Sequence, residues 1–481
     1  MRTMDRTVVI VGAGFSGTAV AINLLRLSHA QPLRVVLLDR IRIGRGMAYA
    51  GNQSRYLLNV PAGRMSATSA DPHEFLAFAQ RTLPHANEDD FLPRDLFGRY
   101  LESSLLSAAR ALPPHVRLER MNAEVIAIER LPRASSLELF MQDGERIVAD
   151  TVVLALGNPA PAPLPGCEAL REGQYVANPW QAPDVVRRGE TVLVVGTGLT
   201  MADVTLAGAD AMKGRATFHA ISRHGLLPAS QSALTHVEDE RYSIPLLRAA
   251  SVSARQLVRA ARTLSENVAL RGADWHEAIG IIRSLAPTLW QRLSTAERKR
   301  FLRHVRPYWE VHRHRLPQSS WAALHALRRR GTLHVHAGRI LGLTSIGDRV
   351  RVTWRPRGGG TAATLEVDRV INCTGPDYDV RRSRERLLRL LLAQGIAVAD
   401  PLGLGLVTGE FGALVDASGR IARNLHYIGP MLRPRHWETT AVQELRGHAE
   451  QLASHLATSV GTWLPVRIPS HAQWQSGVHV S

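Results

Sequence analysis

The chain has 481 residues, of which 45% are hydrophobic, and a formal net charge of +17. This length allows two or three domains with separate cores, while no stretch reaches the roughly 18–20 uninterrupted apolar residues of a membrane span. The only cysteines, Cys167 and Cys373, form no C-x-x-C pair. The sequence therefore excludes dithiol-relay chemistry and favours a cytoplasmic protein. Because the first predicted strand begins near Val8, we expect no signal peptide.

The first predicted element is a β-α-β unit over residues 7–40. An apolar strand at residues 8–11 leads into the glycine-rich turn GAGFSG, a helix follows, and the second strand ends at Asp39. In such a turn the glycines permit tight bending and close approach of a pyrophosphate, which the helix N-terminus attracts, while the acid binds ribose hydroxyls. The sequence predicts a first dinucleotide site with the cofactor-binding candidates Gly12, Gly14, Phe15, Ser16, Gly17, Asp39 and Arg45.

A second β-α-β unit is predicted over residues 188–223. Its strand at residues 192–195 leads into the turn GTGLTM, and Arg223 follows Gly196 at the offset of 27 residues that separates Asp39 from Gly12. A cation at this position pairs with a 2′-phosphate, so NADPH is preferred over NADH. Met201 replaces the third glycine, which loosens the packing of helix on strand. The cofactor-binding candidates here are Gly196, Gly198, Leu199, Thr200, Ser222, Arg223 and His224.

Two further strands share one pattern, because each runs from an aspartate to a glycine seven residues later. They are residues 150–157 and 368–375, and Gly157 and Gly375 suit turns that lie against a flavin or between two cofactors. The second copy predicts that the chain returns to its first domain. A last helix from about Thr440 would direct its N-terminus at the N1–C2 edge of the flavin.

These elements predict an α/β protein in which an FAD domain is interrupted by an NADPH domain carrying a helical insertion. The predicted boundaries are 1–185 and 361–460 for the two parts of the FAD domain, 186–240 and 332–360 for the two parts of the NADPH domain, 241–331 for an arginine-rich helical insertion and 461–481 for a tail.

The predicted insertion carries most of the positive charge. It contains seventeen arginines and one lysine against five acidic residues. Either this is a solvated, arginine-rich surface, or its field collects an anionic substrate or partner. The absence of a recognised nucleic-acid motif argues against nucleic acid. Residues 312–315 are candidate substrate contacts, and no histidine spacing favours a metal site. These contacts are His312, Arg313, His314 and Arg315.

Several strings resemble bacterial FAD/NAD(P)-binding proteins related to flavin-dependent N-hydroxylating monooxygenases. They include VGAGFSG from Val11, LNVPAGRMS from Leu58, PRDLFGRYL from Pro93, GTGLTMAD from Gly196, SRHGLLP from Ser222 and WETTAV from Trp437. The resemblance implies that Asn59, Arg64 and Met65 lie beside the isoalloxazine. It also implies that Gly429 begins the closing FAD-contacting segment, although Pro430 replaces the acid usual after that glycine.

Three functions remain open from the sequence. The first is an NADPH-dependent FAD monooxygenase acting through a C4a-hydroperoxyflavin on a small, anionic, nitrogen-bearing substrate such as an amino acid. The second is an NADPH-dependent flavin reductase with a quinone, small-molecule or protein acceptor. The third is a non-catalytic flavin-binding scaffold or sensor. The oligomeric state is not predicted.

Overall fold

A computed structural model describes residues 6–27, 29, 31–50, 56–131, 136–182, 185–187, 189–232 and 240–458. The chain divides into two compact units. Unit 1 comprises residues 1–52, 60–159 and 378–481, and unit 2 comprises residues 53–59 and 160–377.

The strands of the described chain, in order, are β1 (Arg6–Val11), β2 (Leu33–Asp39), β3 (Val116–Asn122), β4 (Val125–Arg130), β5 (Leu137–Met141), β6 (Arg146–Ala149), β7 (Thr151–Leu154), β8 (Tyr175–Val176), β9 (Thr191–Val195), β10 (Thr217–Ser222), β11 (Leu333–Ile346), β12 (Arg349–Pro356), β13 (Ala363–Val367), β14 (Arg369–Asn372), β15 (Ala413–Val415) and β16 (Ile421–Tyr427).

The α-helices of the same residues are α1 (Phe15–Arg26), α2 (Gly46–Tyr49), α3 (Glu74–Gln80), α4 (Arg94–Arg110), α5 (Leu199–Ala211), α6 (Glu240–Val252), α7 (Ala254–Leu270), α8 (Trp275–Arg292), α9 (Thr295–His304), α10 (Arg306–Arg313), α11 (Gln318–Arg329), α12 (Arg386–Ala393) and α13 (Val442–Thr458).

Unit 1 is built on a six-stranded sheet in the order β15-β16-β7-β1-β2-β3. All its pairings are parallel except β15 with β16. Strands β1, β2 and β7 are buried almost throughout, which is expected for a parallel sheet covered on both faces. Helices α1 and α13 pack against each other, and an antiparallel sheet of β4, β5 and β6 follows β3.

Unit 2 contains a seven-stranded sheet in the order β13-β12-β11-β10-β9-β14-β8. Its central strand β9 pairs in parallel with β10 and β14, just as β1 pairs with β2 and β7 in unit 1. Each unit therefore contains a β-α-β core in which a glycine turn joins the first strand to the helix. The predicted fold class is confirmed: two Rossmann-like dinucleotide-binding folds lie in one chain.

The two aspartate-to-glycine strands make the same contact in their respective units. The Asp150 carboxylate accepts the Thr7 backbone N–H at 2.8 Å, at the start of the central strand of unit 1. Asp368 accepts the Thr191 N–H at 2.6 Å at the start of the central strand of unit 2. The repeated sequence pattern thus marks equivalent strands of two domains.

This equivalence corrects the predicted domain boundaries. Strand β14 pairs with β9 in unit 2 and is not part of the returning FAD domain. The chain enters unit 2 at residue 160 and leaves it after residue 377, rather than at residues 186 and 361. Strand β8 also belongs to unit 2, because it extends the sheet beside β14.

The helical insertion is the connection between β10 and β11, which are parallel neighbours in the sheet of unit 2. It comprises α6 to α11. Helix α9 begins as its Ser-x-x-Glu sequence predicts, because Ser294 accepts the Glu297 N–H at 3.3 Å. The Glu297 carboxylate instead accepts the Ala254 N–H at 2.9 Å, which joins α9 to α7. None of the described helices is long and apolar enough to cross a membrane.

Acid should destabilise unit 1 through the histidine of β16. His426 is 1% exposed, and its ring nitrogens lie 3.1 and 3.2 Å from the carbonyl oxygens of Phe411 and Arg423. Burial, aided by the charge of nearby His455, lowers the pKa of His426 to about 4. Because the unfolded chain takes up this proton near pH 6.5, stability is present above that pH and is lost as the pH falls towards 4, by up to about 3 kcal/mol.

We expect His426→Gln to lower the melting temperature at neutral pH but to flatten its decline between pH 6.5 and pH 4, measured by thermal unfolding. The control is His85→Gln, since His85 is exposed. An equally steep decline in the His426 variant and the wild type would contradict this account.

Candidate nucleotide sites

The first glycine turn lies between β1 and α1 in unit 1. Gly12 has a φ of +102°, and a Cβ there would overlap the Ala155 carbonyl at the end of β7. A Cβ on Gly17 would overlap the Gly12 carbonyl. These two glycines therefore let the turn and helix α1 pass close to the sheet.

Gly14 has a different role, because space is open beside it. A Cβ there would meet only Gly46 Cα within 4 Å, at an ordinary distance of 3.6 Å. The first intrahelical bond runs from Thr18 N–H to Gly14 O at 3.0 Å, so the preceding N–H groups have no intrahelical acceptor. The first turn of α1 contains no acidic residue. Open backbone and unpaired donors at a helix N-terminus are what an anionic phosphate requires.

The Phe15 and Ser16 side chains are buried rather than directed at solvent. The Phe15 ring stacks against Phe97 of α4, with centroids 6.0 Å apart. Phe15 and Ser16 are therefore placed to contribute backbone N–H groups to a ligand rather than side-chain atoms.

Asp39 ends β2 beside this turn, as predicted. Its carboxylate accepts the Ala13 N–H at 2.7 Å and the Ile41 N–H at 2.8 Å, so it fixes the turn while two further lone pairs remain for a ribose hydroxyl. Arg45 is buried and donates to both carboxylate oxygens of Glu102, at 2.8 and 2.9 Å. Arg45 stays a predicted cofactor contact, and its ion pair with Glu102 also positions the loop.

That loop reaches back to the glycine turn. Gly44 N–H donates to Ala13 O at 2.9 Å. Gly46 has a φ of +55°, and a Cβ there would lie 2.7 Å from Gly14 Cα. The Arg45–Glu102 ion pair thus holds two glycines against the edge of the first site.

Tyr100 of α4 holds the loop at residues 61–67 through a hydrogen bond. The Tyr100 hydroxyl accepts the Ala67 N–H at 2.9 Å and donates to Glu74 at 2.9 Å. Met65 in this loop is buried, whereas Arg64 is half-buried. Asn59, the third residue that the resemblance places beside the flavin, belongs to unit 2.

Three other predicted flavin-side residues lie in unit 1. Gly157 has a φ of +69° with no atom within 4 Å of a Cβ built on it, so this turn is open. Gly429 has a φ of +135° and comes directly before the short 3₁₀ turn Pro430–Leu432. Helix α13 begins at Val442, and Leu445 N–H donates to Ala441 O at 3.0 Å. The predicted start at Thr440 is therefore two residues early.

The second glycine turn lies between β9 and α5 in unit 2 and repeats the first. A Cβ on Gly196, which has a φ of +110°, would overlap the Cys373 carbonyl after β14. Gly198 is the residue before α5 and has no atom within 4 Å of its Cβ position. The first turn of α5, which includes Leu199 and Thr200, also contains no acid. Met201 is fully buried in the core of unit 2.

The Ser222 side chain, at the end of β10, forms hydrogen bonds within the loop and does not project as a free ligand contact. The Thr197 hydroxyl lies 2.8 Å from Ser222 Oγ and 2.6 Å from Leu226 O. Ser222 Oγ also accepts the Gly225 N–H at 3.0 Å. The hydroxyl therefore ties the glycine turn to the segment that follows Arg223.

Three basic side chains surround this strand end. Arg223 is exposed, and the adjacent His224 ring contacts the guanidinium of Arg357, which follows β12. Arg357 N–H donates to Ala337 O of β11 at 2.8 Å, which holds it near β10. No described carboxylate forms an ion pair with Arg223 or Arg357. This cluster of positive charge suits a phosphate.

Gly375 in unit 2 is the counterpart of Gly157, with a φ of +82° and an open Cβ position. Cys373, two residues earlier, is buried, and burial raises the pKa of its thiol far above the usual range. This cysteine is therefore a packing residue and not a thiolate nucleophile.

The candidate substrate contacts in the insertion are not a free basic surface. Arg313 and Arg315 are 8% and 7% exposed. His314 Nδ1 lies 2.6 Å from a Glu310 oxygen, and His312 Nδ1 donates to Tyr308 O at 2.7 Å. Arg313 and Arg315 are therefore buried, whereas His312 and His314 are partly exposed, and all four residues stay predicted substrate contacts.

The structure adds positions that sequence reasoning missed. Glu102, Tyr100 and Gly46 support the first site, and Arg357 completes the basic cluster of the second. Tyr100 lies within the PRDLFGRYL string and Glu102 directly follows it, so that resemblance could have drawn attention to them. Arg357 follows Arg223 by more than a hundred residues, and no local pattern connects the two.

The chain resembles known proteins in both sequence and fold. Residues 9–159 match the FAD-NAD(P)-binding family model, so the resemblance seen in the sequence is confirmed and this segment binds FAD or NAD(P). No curated protein matches the chain by sequence.

Solved structures share the fold over almost the whole chain. The ornithine hydroxylase of Pseudomonas aeruginosa is 16% identical, with a TM-score of 0.62, and the match covers 94% of this chain and 99% of that one. The ornithine N-hydroxylase of Kutzneria sp. 744, solved with reduced FAD, NADP⁺ and L-ornithine, is 17% identical with the same TM-score and coverage. The cadaverine monooxygenase of Erwinia amylovora, bound to FAD, is 12% identical, with a TM-score of 0.60 and coverage of 98% and 99%.

Proposed function

We propose that this chain, whose residues 9–159 match an FAD-NAD(P)-binding family, is an NADPH-dependent FAD oxidoreductase that hydroxylates a primary amine. The observation that carries the proposal is a pair of matching β-α-β units. Each has a glycine turn, and the residues at the ends of their second strands have opposite charges. The turn of unit 1 is followed by Asp39, whereas the turn of unit 2 is followed by Arg223 beside His224 and Arg357. One site therefore suits an unphosphorylated ribose and the other a 2′-phosphate.

FAD fits unit 1 because the open backbone at Gly14 and the N-terminus of α1 would hold its pyrophosphate. Asp39 would hold its ribose, while the Arg45–Glu102 pair positions the loop beside it. NADPH fits unit 2 because Gly198 and the N-terminus of α5 present the same open backbone. When bound, FAD supplies hydride acceptance from NADPH and activation of oxygen. The chain itself therefore needs to bind and orient the reactants and to exclude water.

The 2′-phosphate assignment predicts how nucleotide preference changes on substitution. Arg223→Ala and Arg357→Ala should each weaken NADPH binding by about 1–3 kcal/mol through lost charge-assisted hydrogen bonds, a rise of roughly 5- to 150-fold in KM. KM for NADH should change little, because NADH lacks the phosphate. Steady-state flavin reduction with each nucleotide checks this, with Arg351→Ala, whose guanidinium pairs with Glu366, as the matched control. Equal losses for NADPH and NADH would refute the assignment.

Amine hydroxylation is favoured among the possible second half-reactions because the structural relatives named above act on ornithine and cadaverine. The class proposed is a small primary amine, with or without a carboxylate. A reductase with another acceptor would use the same two nucleotide sites.

The test is to supply the FAD-loaded protein with NADPH, oxygen and one amine at a time, using ornithine, lysine and cadaverine first. Hydroxylated amine formed in proportion to NADPH consumed would support the proposal. NADPH oxidation that yields only hydrogen peroxide with every amine, together with rapid reduction of a quinone, would replace it with the reductase function.

A further inference from the structure

We propose that the α6–α7 hairpin of the insertion docks on an anionic lipid surface. The proposal concerns residues that belong to neither glycine turn nor to the basic cluster, and it does not depend on the proposed activity. The hairpin is defined here as residues 240–270, of which the side chains from Tyr242 onward are described.

The first observation is an arginine stripe on α7. Arg255, Arg259 and Arg262 are exposed and recur at the spacing that places residues on one side of a helix. None of them forms an ion pair with a described residue. Glu266 continues the same side, so the stripe is predominantly but not wholly positive. The opposite side of α7 is buried through Leu257, Leu264 and Val268, which fixes the stripe outward.

The second observation is that the most exposed aliphatic side chains of the described chain accompany this stripe. Leu270 is 86% exposed, Val252 68% and Ile244 53%. Among the described residues, Ile41 is the only other aliphatic residue whose exposed fraction lies in this range. Leu270 lies four residues beyond Glu266 on the stripe of α7. Ile244, Arg248 and Val252 form a matching exposed row along α6. The two helices that carry these arginines therefore also expose the aliphatic side chains.

An anionic bilayer satisfies both observations. Lipid phosphates attract the arginines, and the aliphatic side chains enter the boundary between headgroups and acyl chains. A polyanion such as a nucleic-acid backbone or polyglutamate would pair with the arginines but would leave the exposed aliphatic side chains in water. The chain also has no described membrane-spanning helix, so the contact would be peripheral and reversible.

The experiment measures flotation of the full-length, FAD-loaded protein with vesicles of phosphatidylcholine alone or mixed with phosphatidylglycerol. We expect binding only to the mixed vesicles, weakened by salt. The triple variant Arg255→Gln, Arg259→Gln, Arg262→Gln should bind on the order of a hundredfold more weakly, at about fivefold for each arginine. The double variant Ile244→Ser, Leu270→Ser should also bind more weakly.

The matched control removes three exposed arginines elsewhere, through Arg384→Gln, Arg386→Gln and Arg389→Gln, and should retain binding. Equal weakening in the control triple variant would show that net charge alone acts, and would overturn the proposal. So would absence of binding to mixed vesicles, unchanged binding of the aliphatic double variant, or preferential capture by single-stranded RNA or polyglutamate through the same arginines.

Discussion

Gly14→Val should yield a folded protein that no longer retains FAD. The valine side chain would extend into the space that the open Cβ position leaves beside the turn, where the pyrophosphate must approach the backbone. Steric overlap of this kind costs about 1–3 kcal/mol, and each hydrogen bond lost from the backbone N–H groups adds about 1 kcal/mol. We expect Kd for FAD to rise roughly a hundredfold or more. Flavin absorbance after gel filtration measures the retained cofactor.

The fold should tolerate this change, because Gly14 has a φ of −73° that any residue can adopt and its nearest neighbour is at van der Waals distance. The control is Gly280→Ala, a glycine variant in α8 with equally open surroundings. It should keep its flavin through the same purification. A Gly14→Val protein that keeps its flavin would refute the first site.

Gly198→Val should impair the second nucleotide site and leave the first one intact. We expect this variant to retain FAD, because its turn belongs to unit 2, and to lose most of its reduction by NADPH. Nothing in the protein lies within 4 Å of the new Cβ, so a loss would come from collision with the nucleotide and not from altered packing. The rate of flavin bleaching under anaerobic conditions, measured against NADPH concentration, gives both Kd and the limiting rate.

Loss of FAD from Gly198→Val would contradict the assignment of one nucleotide to each unit. Because Gly14→Val and Gly198→Val make the same chemical change in equivalent turns, each serves as the control for the other. General instability of a valine variant at these turns would affect FAD retention in both proteins alike.

The sequence predicted those features whose determinants lie within one β-α-β unit. The turns after β1 and β9, and the charged residues at the ends of β2 and β10, are each set by a few consecutive residues. The Asp150 and Asp368 patterns were also visible in the sequence. Their shared role as acceptors of a backbone N–H near the start of β1 and of β9 required the structure.

Features that depend on distant pairing were not predictable in the same way. Strand β14 was assigned to the wrong sheet, because a buried strand carries no mark of its neighbour and the Asp-to-Gly pattern fits both sheets equally. The ion pair of Arg45 with Glu102 is not visible in the sequence, because Glu102 comes from α4. Arg357 is not identified from the sequence, because the β11–β12 hairpin brings it beside His224 from a distant part of the chain. The burial of Arg313 and Arg315 is likewise not visible in their strongly charged sequence.

The central claim is that this chain carries FAD and accepts reducing equivalents from NADPH in preference to NADH. The most direct measurement is an anaerobic titration of the purified flavoprotein with each nucleotide, following the flavin absorbance. The account predicts full bleaching by NADPH, at much lower concentration than by NADH. Protein that cannot be loaded with FAD, flavin that NADPH leaves oxidised, or equal reduction by the two nucleotides would contradict it.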